Sequence, residues 1–305
     1  MTAQDQRGFA LILTLVVTAL LVALAVELIH GVAVDTSLHR NFVNLQQAGL
    51  LAESGANGTV ALLREIRAAG RDAALQELLA APRTFEDERG KVFITLEEEE
   101  GKLNLNAVTL PNGEPSVFHD RAWQRLLRLM TLPTGLHESL ADWVDENDTP
   151  RPDGAESAWY RSLPASYESR NGRLETFGEL GLVKGFSATV LDQLRPVATI
   201  YGAGGVININ TAPPQLIEAL DEEITEATAR EIVARRRVKP FKNMGELAEI
   251  PGMERIVGRL AGWVGVRGNT YRLVSRAMVG ETVRIVEAVV AIDGAQPTYH
   301  YWREY

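Results

Sequence analysis

From Phe9 to Val26 the chain runs for about eighteen residues without a charge, and Leu28 and Ile29 carry the apolar character past Glu27. A helix rises about 1.5 Å per residue, so a segment of this length crosses a hydrocarbon core of about 30 Å. A secretory signal would have a shorter apolar region followed by a small-residue cleavage site. Here there is instead no proline from His30 to about Ala69, and Leu38, Phe42, Leu45, Ala48, Ala52, Ala56, Leu62, Leu63 and Ile66 recur at helical spacing. Residues 9–69 therefore read as one long helix, lipid-soluble in its first half and amphipathic in its second. Gly49, Gly55 and Gly58 would soften it. The flanks leave its orientation open, because Asp5 offsets Arg7 on one side while His39 and Arg40 follow on the other.

Beyond the helix, composition points to a folded body. Hydrophobic residues make up 46% of the chain and charged ones 23%, with a net charge of −9, which excludes a long disordered chain and a generally cationic nucleic-acid binder. With no cysteine, disulfides, thiolate metal sites and cysteine nucleophiles are all ruled out. Strand signals flank the middle of the chain. Val92, Ile94 and Leu96 alternate ahead of a turn at Glu100-Gly101, and Glu97 to Glu100 reads as a solvated strand end. Later, Tyr271 to Val279 and Thr282 to Ile292 form a hairpin around Val279-Gly280-Glu281, and Thr298 to Tyr305 places Tyr299, Tyr301 and Tyr305 on one face.

Between these strands two segments echo each other. Leu103-Asn104-Leu105-Asn106-Ala107 matches Ile207-Asn208-Ile209-Asn210-Thr211, and Thr176-Phe177-Gly178-Glu179-Leu180 with Val183-Lys184-Gly185-Phe186 parallels Asn243-Met244-Gly245-Glu246-Leu247 with Ile250-Pro251-Gly252-Met253. The two landmarks lie about 72 residues apart in the first copy and about 35 in the second, the extra residues falling around Val144 to Leu174. Each unit reads as short helices, as in Pro214 to Leu220, Glu226 to Arg237 and Met244 to Glu249. The expected fold is α+β: a long N-terminal helix, a small antiparallel sheet built from 70–102 and 271–305, and a mainly helical insertion over 103–270 made of two related units.

The extra segment holds the densest chemistry, Ala141-Asp142-Trp143-Val144-Asp145-Glu146-Asn147-Asp148, then Asp153-Gly154-Ala155-Glu156 and Trp159-Tyr160. Carboxylates crowded into a loop with glycine and proline suit calcium, which offsets their repulsion, although the spacing is not that of an EF-hand. A solvated acidic loop anchored by Trp143 and Tyr160 is the competing reading. The five histidines form no metal-binding pair at helical spacing, and Gly202-Ala203-Gly204-Gly205 lacks the Lys-Ser/Thr of a phosphate loop. No acid and nucleophile pair suggests a hydrolase, so no enzymatic activity is expected.

Arg7-Gly8-Phe9 before the apolar helix resembles the processing site of type IV pilin-like proteins. That resemblance implies a leader of residues 1–8, cleavage by prepilin peptidase between Gly8 and Phe9, and methylation of Phe9. Main filament subunits carry glutamate at the fifth mature position, where this chain has Leu13. Minor pseudopilin K of type II secretion systems lacks that glutamate, and the chain is similar to it over essentially its whole length: a pilin-like helix and antiparallel sheet split by a large helical domain. The resemblance implies a calcium-binding loop in that domain, with Asp145, Asp148 and Glu156 as preferred ligands and Asp142 and Asp153 as further candidates. It also implies a single-pass protein of the bacterial inner membrane whose C-terminal domain lies in the periplasm, and which initiates and caps the pseudopilus with minor pseudopilins I and J.

Two other readings compete. A type IV pilus-like minor subunit shares the processing site. Ile207 to Met253 also resembles the helix-hairpin-helix of competence-type DNA receptors. However, the turn Leu220-Asp221-Glu222-Glu223-Ile224 is acidic and lacks the glycines that let backbone amides approach phosphate. The basic cluster Arg235, Arg236, Arg237 and Lys239 is expected to be a solvated helix face, and no nucleic-acid partner is expected.

Overall fold

The computed structural model describes residues 3–110, 112–202, 204–294 and 296–305, with side chains from Ala10 onward. The Phe9 side chain, beside the expected cleavage bond between Gly8 and Phe9, thus lies outside the described residues. Helix α1 runs unbroken over Ala3–Ala68, so the three glycines do not interrupt it. All residues from Ala10 to Val43 are exposed. This helix is long and apolar enough to cross a membrane. The buried seam begins only at Ala48 and continues through Ala52, Ala56, Val60, Leu63 and Ile66, while Leu38, Phe42 and Leu62 of the expected stripe are exposed.

After α1 come α2 (Asp72–Ala80), β1 (Arg83–Asp87) and β2 (Gly90–Glu98). The chain then leaves the sheet and returns to it as β7 (Thr270–Val279), β8 (Thr282–Ile292) and β9 (Pro297–Glu304). The five strands are antiparallel in the order β1-β2-β7-β8-β9, with Leu96 opposite Leu273 and Leu273 opposite Ala288. Period-two burial puts Val92, Ile94, Leu96, Tyr271, Leu273, Ala277, Val286, Ala288 and Val290 on one face, where the α1 seam covers them as a single core. Gly280, at a φ of +59°, turns the β7–β8 hairpin.

The region between β2 and β7 has its own core, built around Trp123, Leu126, Leu140, Tyr160, Leu180, Ile209, Leu216 and Ile232. Its first part holds β3 (Leu103–Asn104), α3 (Val117–Leu129), α4 (Leu136–Val144), α5 (Ser157–Arg161), α6 (Ala188–Leu194) and β4 (Ala198–Thr199). Its second holds β5 (Ile207–Asn208), α7 (Pro214–Ala219), α8 (Glu226–Val238), α9 (Met244–Leu247), α10 (Val257–Leu260) and β6 (Val264–Gly265). Parallel pairs close both parts, β3 with β4 and β5 with β6.

Identical bonding recurs at the echoing positions. Asn104 and Asn208 each accept the backbone amide two residues on, at 2.9 and 3.0 Å. Asn106 donates to the carbonyls of Leu174 and Ile200 and accepts the Leu174 amide, while Asn210 donates to Phe241 and Val266 and accepts the Phe241 amide. Thr176 caps the Glu179 amide as Asn243 caps that of Glu246, and both glutamates reach back to accept the amide of the residue before the cap, Glu175 and Lys242. Gly185 and Gly252 both sit at a φ of +87°, left-handed backbone that favours glycine.

Two expectations fail. Glu97 to Glu100 is not a solvated strand end, because Glu98, Glu99 and Glu100 are buried where the insertion meets the sheet. Glu98 accepts Asn208 Nδ2 at 2.6 Å, Glu99 accepts Arg272 Nε at 2.8 Å and the Thr199 hydroxyl, and Glu100 accepts the Thr270 amide at 3.0 Å. Nor is the basic cluster one solvated face. Arg236 folds back to donate to the Ile209 carbonyl at 2.5 Å, and Arg235 lies over the Phe241 ring, leaving Arg237 and Lys239 exposed.

Candidate metal centre

Helix α4 is amphipathic and ends at the acidic stretch. Asp142 occupies its last turn and Asp145 its C-cap, and a spacing of three residues puts both on one side. Between them Trp143 points into the core, packing edge-on against Tyr160 at 5.0 Å and donating to Glu179 at 3.0 Å. The loop then turns back, and Lys184 donates to the Asp153 and Gly154 carbonyls at 3.1 and 2.9 Å, pinning it to the first unit. Gly154 lies so close to the Asp142 carboxylate that a Cβ would overlap it. Glu156 holds the N-cap position of α5, yet its carboxylate does not cap that helix.

Instead Asp142, Asp145 and Glu156 converge, one oxygen from each lying within 4.8 Å of the others. All three are buried, at 0%, 0% and 3% exposure. Asp145 Oδ1 accepts the Asn147 backbone and side-chain amides, and Arg151 Nη1 donates to Asp142 Oδ1 and Asp145 Oδ2 at 2.5 and 2.7 Å. Among the described residues, Glu156 Oε2 has only a long 3.4 Å bond from Ser169, and Oε1 is buried without a partner. Burial, joined by the charges of Asp142 and Asp145, pushes the Glu156 carboxyl up to about 7. Burial likewise raises Asp142, against the pull of its bonds to Arg151.

Of the five candidate ligands, the structure brings together Asp142, Asp145 and Glu156. Asp148 and Asp153 are exposed and outside the trio; Asp148 receives a 3.4 Å bond from Asn171, and the Asp153 backbone amide donates to Glu138. Asp142 thus takes the place that sequence reasoning gave Asp148. An all-carboxylate donor set with an unpaired buried oxygen suits a hard cation, for which calcium–oxygen distances of about 2.3–2.6 Å are normal. Sequence reasoning missed Arg151, although it is the only basic residue between Ala141 and Tyr160.

Comparison with known proteins agrees with this architecture. Two family models, both described as type II secretion system (T2SS), protein K, match residues 101–203 and 207–267, meeting at the junction of the two bonding units. A putative type II secretion system protein K of Escherichia coli K12 is 29% identical over 76% of this chain and 75% of its own length. The type II secretion system protein K of Klebsiella pneumoniae is 25% identical over 82% and 81%. A chain of the crystal structure of the GspK-GspI-GspJ complex from enterotoxigenic Escherichia coli shares the fold, with a TM-score of 0.63 at 19% identity over 83% of this chain and 99% of that one. The long apolar helix, the antiparallel sheet and the helical insertion matched along most of its length place this chain in the type II secretion system protein K family.

Proposed function

We propose that the chain is a minor pseudopilin that starts and caps the pseudopilus, acting by assembly rather than catalysis. In this reading prepilin peptidase cuts between Gly8 and Phe9 and methylates Phe9. The mature helix stays in the inner membrane as a single span, and the C-terminal domain works in the periplasm during export across the outer membrane. The observation that carries the reading is where the insertion sits. Arg67, at the far end of α1, donates to the Gly268 carbonyl at 2.8 Å, and Asp72 pairs with Arg267 at 2.6 Å. Helical rise separates Phe9 from that end by roughly 90 Å. A subunit added above would have to enter the volume the insertion fills.

Leu13 fits the same role, since a tip subunit has no preceding subunit whose N-terminal amine a carboxylate would meet. The related complex names GspI and GspJ beside GspK, and we take minor pseudopilins I and J as the partners here. The exposed apolar surface from Ala10 to Val43 offers their helices a packing face. Duplex binding is disfavoured because the Leu220–Ile224 turn is committed to an ion pair, with Arg259 donating to Asp221 and Glu223 at 2.8 Å.

Asp142, Asp145 and Glu156 would hold calcium, which supplies positive charge that lets three buried carboxylates share one place. Co-expression with prepilin peptidase and the I and J subunits tests the assembly. A methylated N-terminal Phe9 by mass spectrometry and a stable three-protein complex are expected; an uncut chain, or no complex, would count against the reading. Calorimetry should show saturable calcium binding with a raised melting temperature, both diminished by Asp145→Ala or Glu156→Ala. At a hundredfold excess over Kd the stabilisation is about 2.7 kcal/mol.

A further inference from the structure

The acidic loop already contains a cation. Arg151 directs its guanidinium among the carboxylates rather than into solvent: Nη1 donates to Asp142 Oδ1 at 2.5 Å and to Asp145 Oδ2 at 2.7 Å. Nη2 donates to the Gly113 carbonyl at 2.8 Å, and the Arg151 backbone amide donates to Asp142 Oδ2 at 3.0 Å. Calcium binds carboxylate oxygens at about 2.3–2.6 Å. A nitrogen at 2.5 and 2.7 Å from oxygens of both aspartates stands where an ion held by the same two oxygens would have to stand. The two cations cannot occupy that point together.

They also do not serve the site equally. The planar fork of a guanidinium satisfies the two aspartates and a carbonyl, but Glu156, the third carboxylate of the group, keeps Oε1 buried and unpartnered. A spherical ion can touch all three. Arg151 also brings one positive charge to three carboxylates, where a divalent ion would bring two.

Building on the calcium reading above, we propose that Arg151 is a resident counter-cation that calcium displaces, so that the loop alternates between an arginine-closed and an ion-closed state. Only the side chain has to swing out, since the backbone bond to Asp142 Oδ2 is independent of it. The exchange has a consequence outside the site. Gly113 belongs to a turn held by the Leu110 amide to the Glu114 carbonyl, at 2.8 Å, and by the Gly113 amide to the Leu110 carbonyl, at 2.9 Å. The Arg151 bond to the Gly113 carbonyl ties this turn to the acidic loop, and calcium would release it.

The test is calcium titration by calorimetry of the detergent-solubilised full chain, wild type against Arg151→Gln, with hydrogen exchange over residues 112–116. Removing the competitor should tighten binding at least about tenfold. Calcium should speed exchange over 112–116 in the wild type and leave it unchanged in the variant, where the tie is already gone. Equal affinities, or weaker binding by the variant, would overturn the exchange while leaving the calcium site standing. No binding by either protein would overturn the calcium reading and the exchange with it. Should Arg151→Gln fail to fold without metal, a crystal structure of the wild type with calcium decides. The guanidinium is expected away from both aspartates, and a guanidinium still bridging Asp142 and Asp145 beside the bound ion would refute the displacement.

Discussion

Glu98 sits 5% exposed between the sheet and the second unit of the insertion, with Asn208 as its hydrogen-bond donor and Glu100 close by. Burial dominates and raises its carboxyl to about 7, with the Asn208 bond opposing and the Glu100 charge adding to the rise. An unfolded chain releases that proton near the ordinary value of about 4.5, so between about 4.5 and 7 the folded state holds more protons. Stability therefore falls as pH rises through this window and levels off above it, by about 3 kcal/mol for this group. Urea melts of the detergent-solubilised chain at pH 5 and pH 8 should show the loss. Glu98→Gln, which keeps an acceptor for Asn208 but cannot ionise, should remove the Glu98 share and leave the fall that Glu156, also raised to about 7, adds over the same window; an undiminished loss in the variant would assign the pH effect elsewhere. Strand alternation gave no hint of this burial, because it describes the faces of a strand and not what packs over its end. The partners of Glu99 lie 100 and 173 residues away, at Thr199 and Arg272. The carboxylate trio was more legible, since Asp142, Asp145 and Glu156 all stood among the five candidates. The ranking between Asp142 and Asp148 depended on how α4 ends, which spacing alone leaves open.

Along α1 the glycines divide by what faces them. A Cβ at Gly55 would overlap Ser275 Oγ and stand 2.9 Å from Val92 Cγ1, so the helix can reach the sheet only because that side chain is missing. At Gly58 nothing lies within 4 Å. Gly55→Ala should therefore destabilise the chain by about 1–3 kcal/mol through overpacking. Gly58→Ala should stabilise it by about 0.5–1 kcal/mol through helix propensity alone. Urea melts check both, and a common sign for the two substitutions would contradict the helix–sheet contact. Elements with a buried stripe were readable: α1, β2, β7, β8, α7 and α8 all lie close to where periodicity puts them. Among the elements given no range, α2 and β1 bury too little to show a period, whereas α3 and α4, with five and seven buried residues, fell only under the general reading of short helices. In α2 the buried residues are Leu75 and Leu78, a single helical step, and β1 is an edge strand with Arg83 half-buried and the other four residues exposed. For the same reason the α1 stripe was read too long toward the membrane, since Leu38 and Phe42 have the right spacing but no sheet beneath them.

At the scale of the molecule, two hydrophobic cores, one of α1 with the sheet and one inside the insertion, meet across a largely polar joint. Glu98, Glu99 and Glu100 form its centre, reaching Asn208 in the second unit, Thr199 in the first, and Arg272 and Thr270 on the returning strand. Glu99 is the key member because it is fully buried and joins the first unit to the sheet, while Arg272 has a second partner in Glu287. Glu99→Ala should thus weaken the joint without stranding Arg272. With Glu287 still paired to Arg272, the cost should fall below the ~3–5 kcal/mol typical of a buried charge left uncompensated. If the joint is what makes the cores unfold together, the wild type should melt in one calorimetric transition that calcium shifts as a whole. Glu99→Ala should melt in two, and calcium should raise the one belonging to the insertion. In the proposed tip role that coupling would carry force or docking on the insertion to the long apolar helix. A variant that still melts in a single transition, merely at lower temperature, would show that apolar contacts across the joint are enough to hold the two bodies together.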